Sequence, residues 1–164
     1  MKTVIQGFHL PRYQDLPNMG LYLDQTTKYI NHFLAPLGCI EITSSMISNY
    51  VKKGLIASPV KKQYYADQIA YLFFIAIAKQ VLSMENIIAL SERQRKTYSI
   101  PMAYDYFCLE LENMLYYIFG LTDSVKEVGV TNTHEKNMLR SLIIAAAQII
   151  YLDRCLAAPA PETE

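Results

Sequence analysis

Nothing in this chain of 164 residues approaches the length of a membrane span. The longest apolar runs, Ile69–Ala78 and Leu142–Ala147, fall far short of the ~20 residues a spanning helix needs, so no membrane residence is expected. The opening MKTVIQGFHL lacks the continuous apolar stretch of a signal peptide. Cysteine is scarce. Cys39, Cys108 and Cys155 are widely spaced and odd in number, which excludes a disulfide framework and fits a reduced, cytoplasmic compartment. The marks of catalysis are missing too. His134-Glu135-Lys136-Asn137-Met138 begins like the zinc-protease pattern His-Glu-x-x-His, but methionine stands where the second imidazole is required. His9, His32 and His134 lie far apart, and there is neither a Cys-x-x-Cys pair nor a glycine-rich phosphate loop. The sequence therefore predicts a protein that is not an enzyme and holds no metal and no cofactor.

One absence is local. From Ser44 to Tyr65 there is no Asp or Glu in 22 residues, yet the stretch carries Lys52, Lys53, Lys61 and Lys62. The formal net charge is zero, but it is unevenly spread. Residues 1–96 hold 11 Lys/Arg against 6 Asp/Glu, and residues 97–164 hold 4 against 9. A surface that faces a polyanion therefore belongs to the first part of the chain.

What is present is mostly helical periodicity. At 52% hydrophobic and 18% charged the chain lies well on the globular side of the disorder boundary. Residues 1–19, with Gly7, Pro11 and Pro17, show no sustained period and read as an irregular N-terminal arm. Leu21 to Leu34 has a helical face that Pro36 and Gly38 end. Thr43 suits an N-cap, and Met46, Ile47, Tyr50 and Val51 make one stripe of a short helix. Gly54 is placed to be its C′ residue. In Leu55–Tyr65, Pro59 and the β-favouring Ile56, Val60, Tyr64 and Tyr65 predict a short edge-type hairpin.

Ala66–Leu82 is apolar almost all round and reads as a core helix. Ser83 with Glu85 opens another, which fades into the exposed-looking Glu92–Lys96. Pro101 fits the first turn of the cleanest amphipathic helix, with Tyr104, Phe107, Cys108, Leu111, Leu115 and Ile118 on one stripe. Asn132 and Glu135 have capping-box spacing before a last helix over 133–157. APAPETE reads as a short disordered tail. The fold expected is all-α with one small β-hairpin, a winged helix-turn-helix over 20–96 followed by C-terminal helices over 97–164 that pack on it, acidic outside and apolar inside.

The order helix, turn, polar-faced helix, hairpin, helix resembles the DNA-binding domain of MerR-type regulators over Thr43–Leu90. The residues that carry the likeness are Tyr50, Gly54-Leu55, Pro59, Tyr65 and Asp67, with Leu82-Ser83-Met84-Glu85-Asn86-Ile87 similar to the opening of that family's next helix. Ser48 stands where those regulators usually carry a phosphate-contacting arginine. Over nearly its full length the chain also resembles a bacterial family, domain of unknown function 1836. That likeness rests on Leu16-Pro17, Gly20-Leu21-Tyr22-Leu23-Asp24-Gln25, Ile42-Thr43-Ser44-Ser45-Met46-Ile47, Asn49-Tyr50-Val51-Lys52-Lys53-Gly54 and Gln68-Ile69-Ala70-Tyr71-Leu72, and it implies a cytosolic protein of bacteria.

On the MerR-type reading, Ser44, Ser45, Ser48 and Asn49 face double-stranded DNA, with Asn49 able to read adenine in the major groove. Lys52 and Lys53 at the helix end, and Lys61 and Lys62 on the wing, hold phosphates and release counterions. Tyr64 is a further candidate contact, while Tyr65 is expected to pack. Most short charge runs are only solvated faces; the length of the acid-free stretch and its place in the fold weigh against that here. The C-terminal helices close the core. Beyond that they are expected either to pair with a second copy as a homodimer, or to line a pocket with Tyr104, Phe107, Met114 and Tyr117 for a small apolar effector. The alternative for the whole chain is a protein-interaction or effector-binding module that keeps the fold, with the lysines meeting an acidic partner.

Overall fold

The structure is a computed structural model that describes residues 2–129 and 132–159. In chain order the elements are α1 (Lys2–Ile5), a 3-10 turn (Tyr13–Asp15), β1 (Leu21–Tyr22), α2 (Leu23–Leu34), a second 3-10 turn (Ala35–Leu37), α3 (Ser44–Lys52), β2 (Gln63–Tyr64), α4 (Ala66–Ala78), α5 (Met84–Thr97), α6 (Ile100–Ile118) and α7 (His134–Ala157). The chain is thus mostly helical with one small antiparallel sheet, in which Leu21 pairs with Tyr64 and Tyr22 with Gln63.

Local chemistry explains most of the helix ends. The Thr43 hydroxyl accepts from the Met46 amide, Ser83 from Asn86 and Ser99 from Met102, each satisfying an orphan donor of the first turn. Gly54 follows α3 at φ 75°, a left-handed conformation that costs glycine nothing. Both strands run directly into helices whose third residue is glutamine. The Tyr22 amide donates to Gln25 Oε1 at 2.9 Å and the Tyr65 amide to Gln68 Oε1 at 2.7 Å. Four boundaries differ from the sequence reading. The helix expected from Leu21 begins at Leu23, because Leu21 and Tyr22 pair with β2. α4 stops at Ala78, and tight turns carry the chain through Lys79–Leu82 to the Ser83 cap. α7 is capped by Thr133, which accepts from the Lys136 amide, while Asn132 instead accepts from Asn137. The expected hairpin over Leu55–Tyr65 is reduced to a tight turn closed by Val60 and Gln63, and the strand partner of Gln63–Tyr64 comes from Leu21–Tyr22.

One hydrophobic core runs from Ile5 to Ile150. α4 lies at its centre, with Ile69, Leu72, Phe73, Ile75 and Ile77 buried. α6 and α7 pack along their length and close it. The irregular N-terminal segment takes part: Ile5, Phe8 and Leu10 are wholly buried, and Leu16 nearly so. It is strapped to α6. The Arg12 guanidinium makes a paired contact with Glu112, Nη1 to Oε2 at 2.7 Å and Nη2 to Oε1 at 2.8 Å. The Leu10 amide donates to Glu112 Oε2 at 3.0 Å, and the Tyr104 hydroxyl donates to the Pro11 carbonyl at 2.7 Å.

The outer face of the C-terminal helices is less acidic than expected, because Glu110 and Glu112 are buried. Arg140 Nε lies 3.0 Å from Glu110 Oε1, in charge contact but without hydrogen-bond alignment. Burial raises the Glu110 carboxyl above its ordinary value, with Arg140 partly opposing. The hydrogen bond to Glu112 holds the Arg12 guanidinium above its own. The expected tail lies outside the described residues from 160 onward.

Candidate nucleic-acid interface

Two elements carry the polar and cationic residues of the acid-free stretch: α3, which packs on α2, and the turn before β2, the strand that pairs with β1. α3 is pinned to α2 by Asn31, whose side chain donates to the Ile42 carbonyl and accepts from the Ile42 amide, each at 2.8 Å. Ile47 and Tyr50 bury the inner stripe of α3, which turns Ser45, Ser48, Asn49 and Lys52 outward as exposed residues. Lys53 at the C-cap is exposed as well. Ser44 departs from the expected face: it is half-buried, with its Oγ 3.2 Å from Thr27 Oγ1 of α2.

The second element is the turn Val60-Lys61-Lys62-Gln63. The Val60 amide donates to the Gln63 carbonyl at 3.0 Å and the Gln63 amide to the Val60 carbonyl at 2.9 Å. Lys61 and Lys62 between them have φ 50° and 64°. Two successive positive φ values mark a type I′ turn, a form that strongly prefers Asn-Gly. A side chain at such a φ is strained, by ~1 kcal/mol or more per residue. Here the strain falls on two exposed lysines. Gln68 ties the preceding loop to α4 by donating to the Ala57 and Ser58 carbonyls at 3.1 and 3.0 Å.

Gly20 immediately precedes β1. A Cβ there would stand 2.7 Å from Gln63 Cβ and 2.8 Å from Tyr65 Cζ, so only glycine lets β2 approach.

The two tyrosines have exchanged roles relative to expectation. Tyr64 is 4% exposed and packs in the core, whereas Tyr65 is 40% exposed and donates its hydroxyl to Gln63 Oε1. Side chains alternate along a strand, and the phase is set by pairing with β1. The first acid after the acid-free stretch in the sequence, Asp67, is occupied by the Tyr13 hydroxyl at 2.6 Å, a bond that pushes the Tyr13 phenol up to about 12.

A family model described as Domain of unknown function (DUF1836) matches residues 11–107, more than half the chain. The chain belongs to that family. No curated protein and no solved structure matches it. The DUF1836 match takes in β1, α2, α3, the Lys61-Lys62 turn, α4, α5 and the opening turns of α6, so both elements of the candidate interface lie inside the family's own segment.

The expected effector pocket is only partly assembled. Tyr104 and Phe107 line a cavity of about 50 Å³ between α4, α5, α6 and α7, but Met114 and Tyr117 do not. Met114 is core, and Tyr117 is 45% exposed. At 100° per residue Tyr117 falls roughly 140° round α6 from Tyr104. Two lining residues escaped the sequence reading, Ser91 and Gln94. Both are buried, although Gln94 sits within the run expected to be exposed. The signal was present: Ile87, Leu90, Ser91 and Gln94 recur at i, i+3, i+4 and i+7, so the polar pair lies on the buried stripe of α5. No helix among the described residues is long and apolar enough to cross a membrane.

Proposed function

We propose that this is a DNA-binding protein of the bacterial cytoplasm, a transcriptional regulator that uses a MerR-like winged helix-turn-helix. The observation that carries this reading is the turn at Lys61 and Lys62. A folded chain has cheaper residues for two successive left-handed positions, and the lysines keep paired cations on an exposed tip that leads into β2, the partner of the strand before α2, on which α3 packs. In this mechanism α3 enters the major groove with Ser45, Ser48 and Asn49 toward base edges and phosphates. Ser44, half-turned toward Thr27, serves at the margin. Lys52, Lys53, Lys61 and Lys62 neutralise backbone phosphates on either side. The C-terminal helices act in homodimerisation or effector sensing, and two-fold pairing would place two copies on paired half-sites.

Titration of labelled genomic fragments across salt tests this. Four phosphate contacts give a slope of log affinity against log salt of roughly −3.6. Lys61→Glu with Lys62→Glu should abolish binding. If affinity stays weak and indifferent to salt, and the double reversal changes nothing, the DNA reading fails. A second reading then gains: a protein-interaction module whose lysines meet an acidic partner. It is favoured by Ser48, which stands where a MerR-type regulator would present arginine, and by the zero net charge of the chain.

A further inference from the structure

Two residues that line the cavity between α4 and α5–α7 each carry an unanswered buried polar atom. Ser91 Oγ and Gln94 Oε1 have no hydrogen-bond partner, and the residues are only 4% and 7% exposed. Their orientation is not free. The Gln94 amide nitrogen donates to the Glu135 carbonyl at 2.7 Å, so the acceptor oxygen is the end left over. Two tyrosines complete the polar part of the wall: the Tyr104 hydroxyl is taken by the Pro11 carbonyl, and Tyr71, on the rim, lies under the Arg95 guanidinium. The rest of the lining is apolar, including Phe74, Phe107 and Leu139. Tyr71, Phe74, Ile100 and Ala103 are half-exposed, so the rim reaches solvent.

Buried polar groups in native proteins are nearly always paired, and two unpaired ones, three residues apart on a single helix face and lining one cavity, describe half of a recognition site. We propose that this cavity binds a small neutral amphiphile, an aliphatic primary amide or alcohol. Its N–H or O–H donates to Gln94 Oε1, its second polar function meets the Ser91 hydroxyl, and its carbon chain lies against Phe74, Phe107 and Leu139. Among the described residues no charged side chain lines the cavity, and an unpaired buried charge is costly, so carboxylates and amines are refused. The size follows from volume. At about 50 Å³ the space exceeds what one water needs, ~10–15 Å³, and is about a third of the ~150 Å³ that holds benzene; it takes the polar head and first carbon of such a ligand, and the rest of a three-carbon chain leaves along the half-exposed rim at Phe74. This deepens the sensing role proposed above for the C-terminal helices. Its test reads ligand binding without DNA, so either reading can fail alone.

The test is methyl NMR on the full chain, titrating with propionamide, 1-propanol, propionate and xenon. Propionamide should give saturable shifts at the Ile100 and Leu139 methyls, with millimolar affinity and at least fivefold preference over propionate. Ser91→Ala should weaken propionamide at least fivefold while leaving xenon binding and the fold intact, and its thermal midpoint should rise because an orphaned hydroxyl is gone. No saturable shift with either polar ligand, equal binding of propionate, or an affinity indifferent to Ser91→Ala would each overturn the proposal.

Discussion

Replacing Lys61 and Lys62 with Asn and Gly separates what the turn costs from what it does. Each lysine holds a positive φ, at 50° and 64°, and relieving that strain returns ~1 kcal/mol per residue. Asparagine tolerates the conformation and glycine has no Cβ to strain, but glycine also loosens the unfolded chain, which takes back up to ~1 kcal/mol. The net expectation is a gain of ~1 kcal/mol, or ~2–4 °C in thermal midpoint for a chain of this length. On DNA the same variant loses two phosphate contacts. The salt slope should become shallower by ~1.8, which narrows the affinity gap between parent and variant about tenfold between 50 and 200 mM salt. Calorimetry and fluorescence anisotropy on the same two proteins read both effects. A midpoint that falls would refute the type I′ geometry. An unchanged salt slope would refute the phosphate contacts whatever the stability does.

Three further outcomes follow from the packing. Arg12→Met leaves Glu112 buried without its counter-charge, and the urea midpoint should drop by the equivalent of ~3 kcal/mol; a change below ~1 kcal/mol would mean that the strap is not held by this pair. Gly20→Ala drives a Cβ to within 2.8 Å of Gln63 and Tyr65, and should cost ~1–3 kcal/mol in thermal melts. Burial pushes the Cys108 thiol from 9.0 up to about 12. The unfolded state therefore loses its proton first, and stability should fall as pH rises from about 9 to about 12, by up to ~4 kcal/mol in all. Cys108→Ala should flatten that part of the alkaline unfolding profile; an unchanged slope there would exclude the thiol as its source.

The sequence makes the locally determined parts legible. Thr43, Ser83 and Gly54 work within a turn of their own helices, and the buried stripe of α6 depends only on its own period. The DUF1836 likeness was equally readable, because it rests on short runs of residues. What resisted reading depends on partners far away in the chain. The strand partner of Gln63–Tyr64 is Leu21–Tyr22, and without it nothing decides which of Tyr64 and Tyr65 turns inward. Phe8 and Leu10 follow no period because they fill a gap against α6 rather than a face of their own. Glu110 and Glu112 look like surface acids until Arg140 and Arg12 are brought to them. At the start of α7, Asn132 and Thr133 are both good caps, and a shift of one residue lies below what spacing resolves.

The clasp between the strap and α6 joins residues a hundred positions apart, and the family segment, residues 11–107, contains one of its halves without the other. During synthesis Arg12 leaves the ribosome long before Glu112, so until α6 is made the strap is held only through Tyr13 to Asp67. The seating of Phe8 and Leu10 in the core waits for that helix as well, since Tyr116 and Glu112 hold their backbone. A fragment cut to the family boundary would keep every residue of the candidate interface and lose the carboxylate that fastens Arg12. Such a fragment is therefore a poor stand-in for the whole protein in any binding experiment.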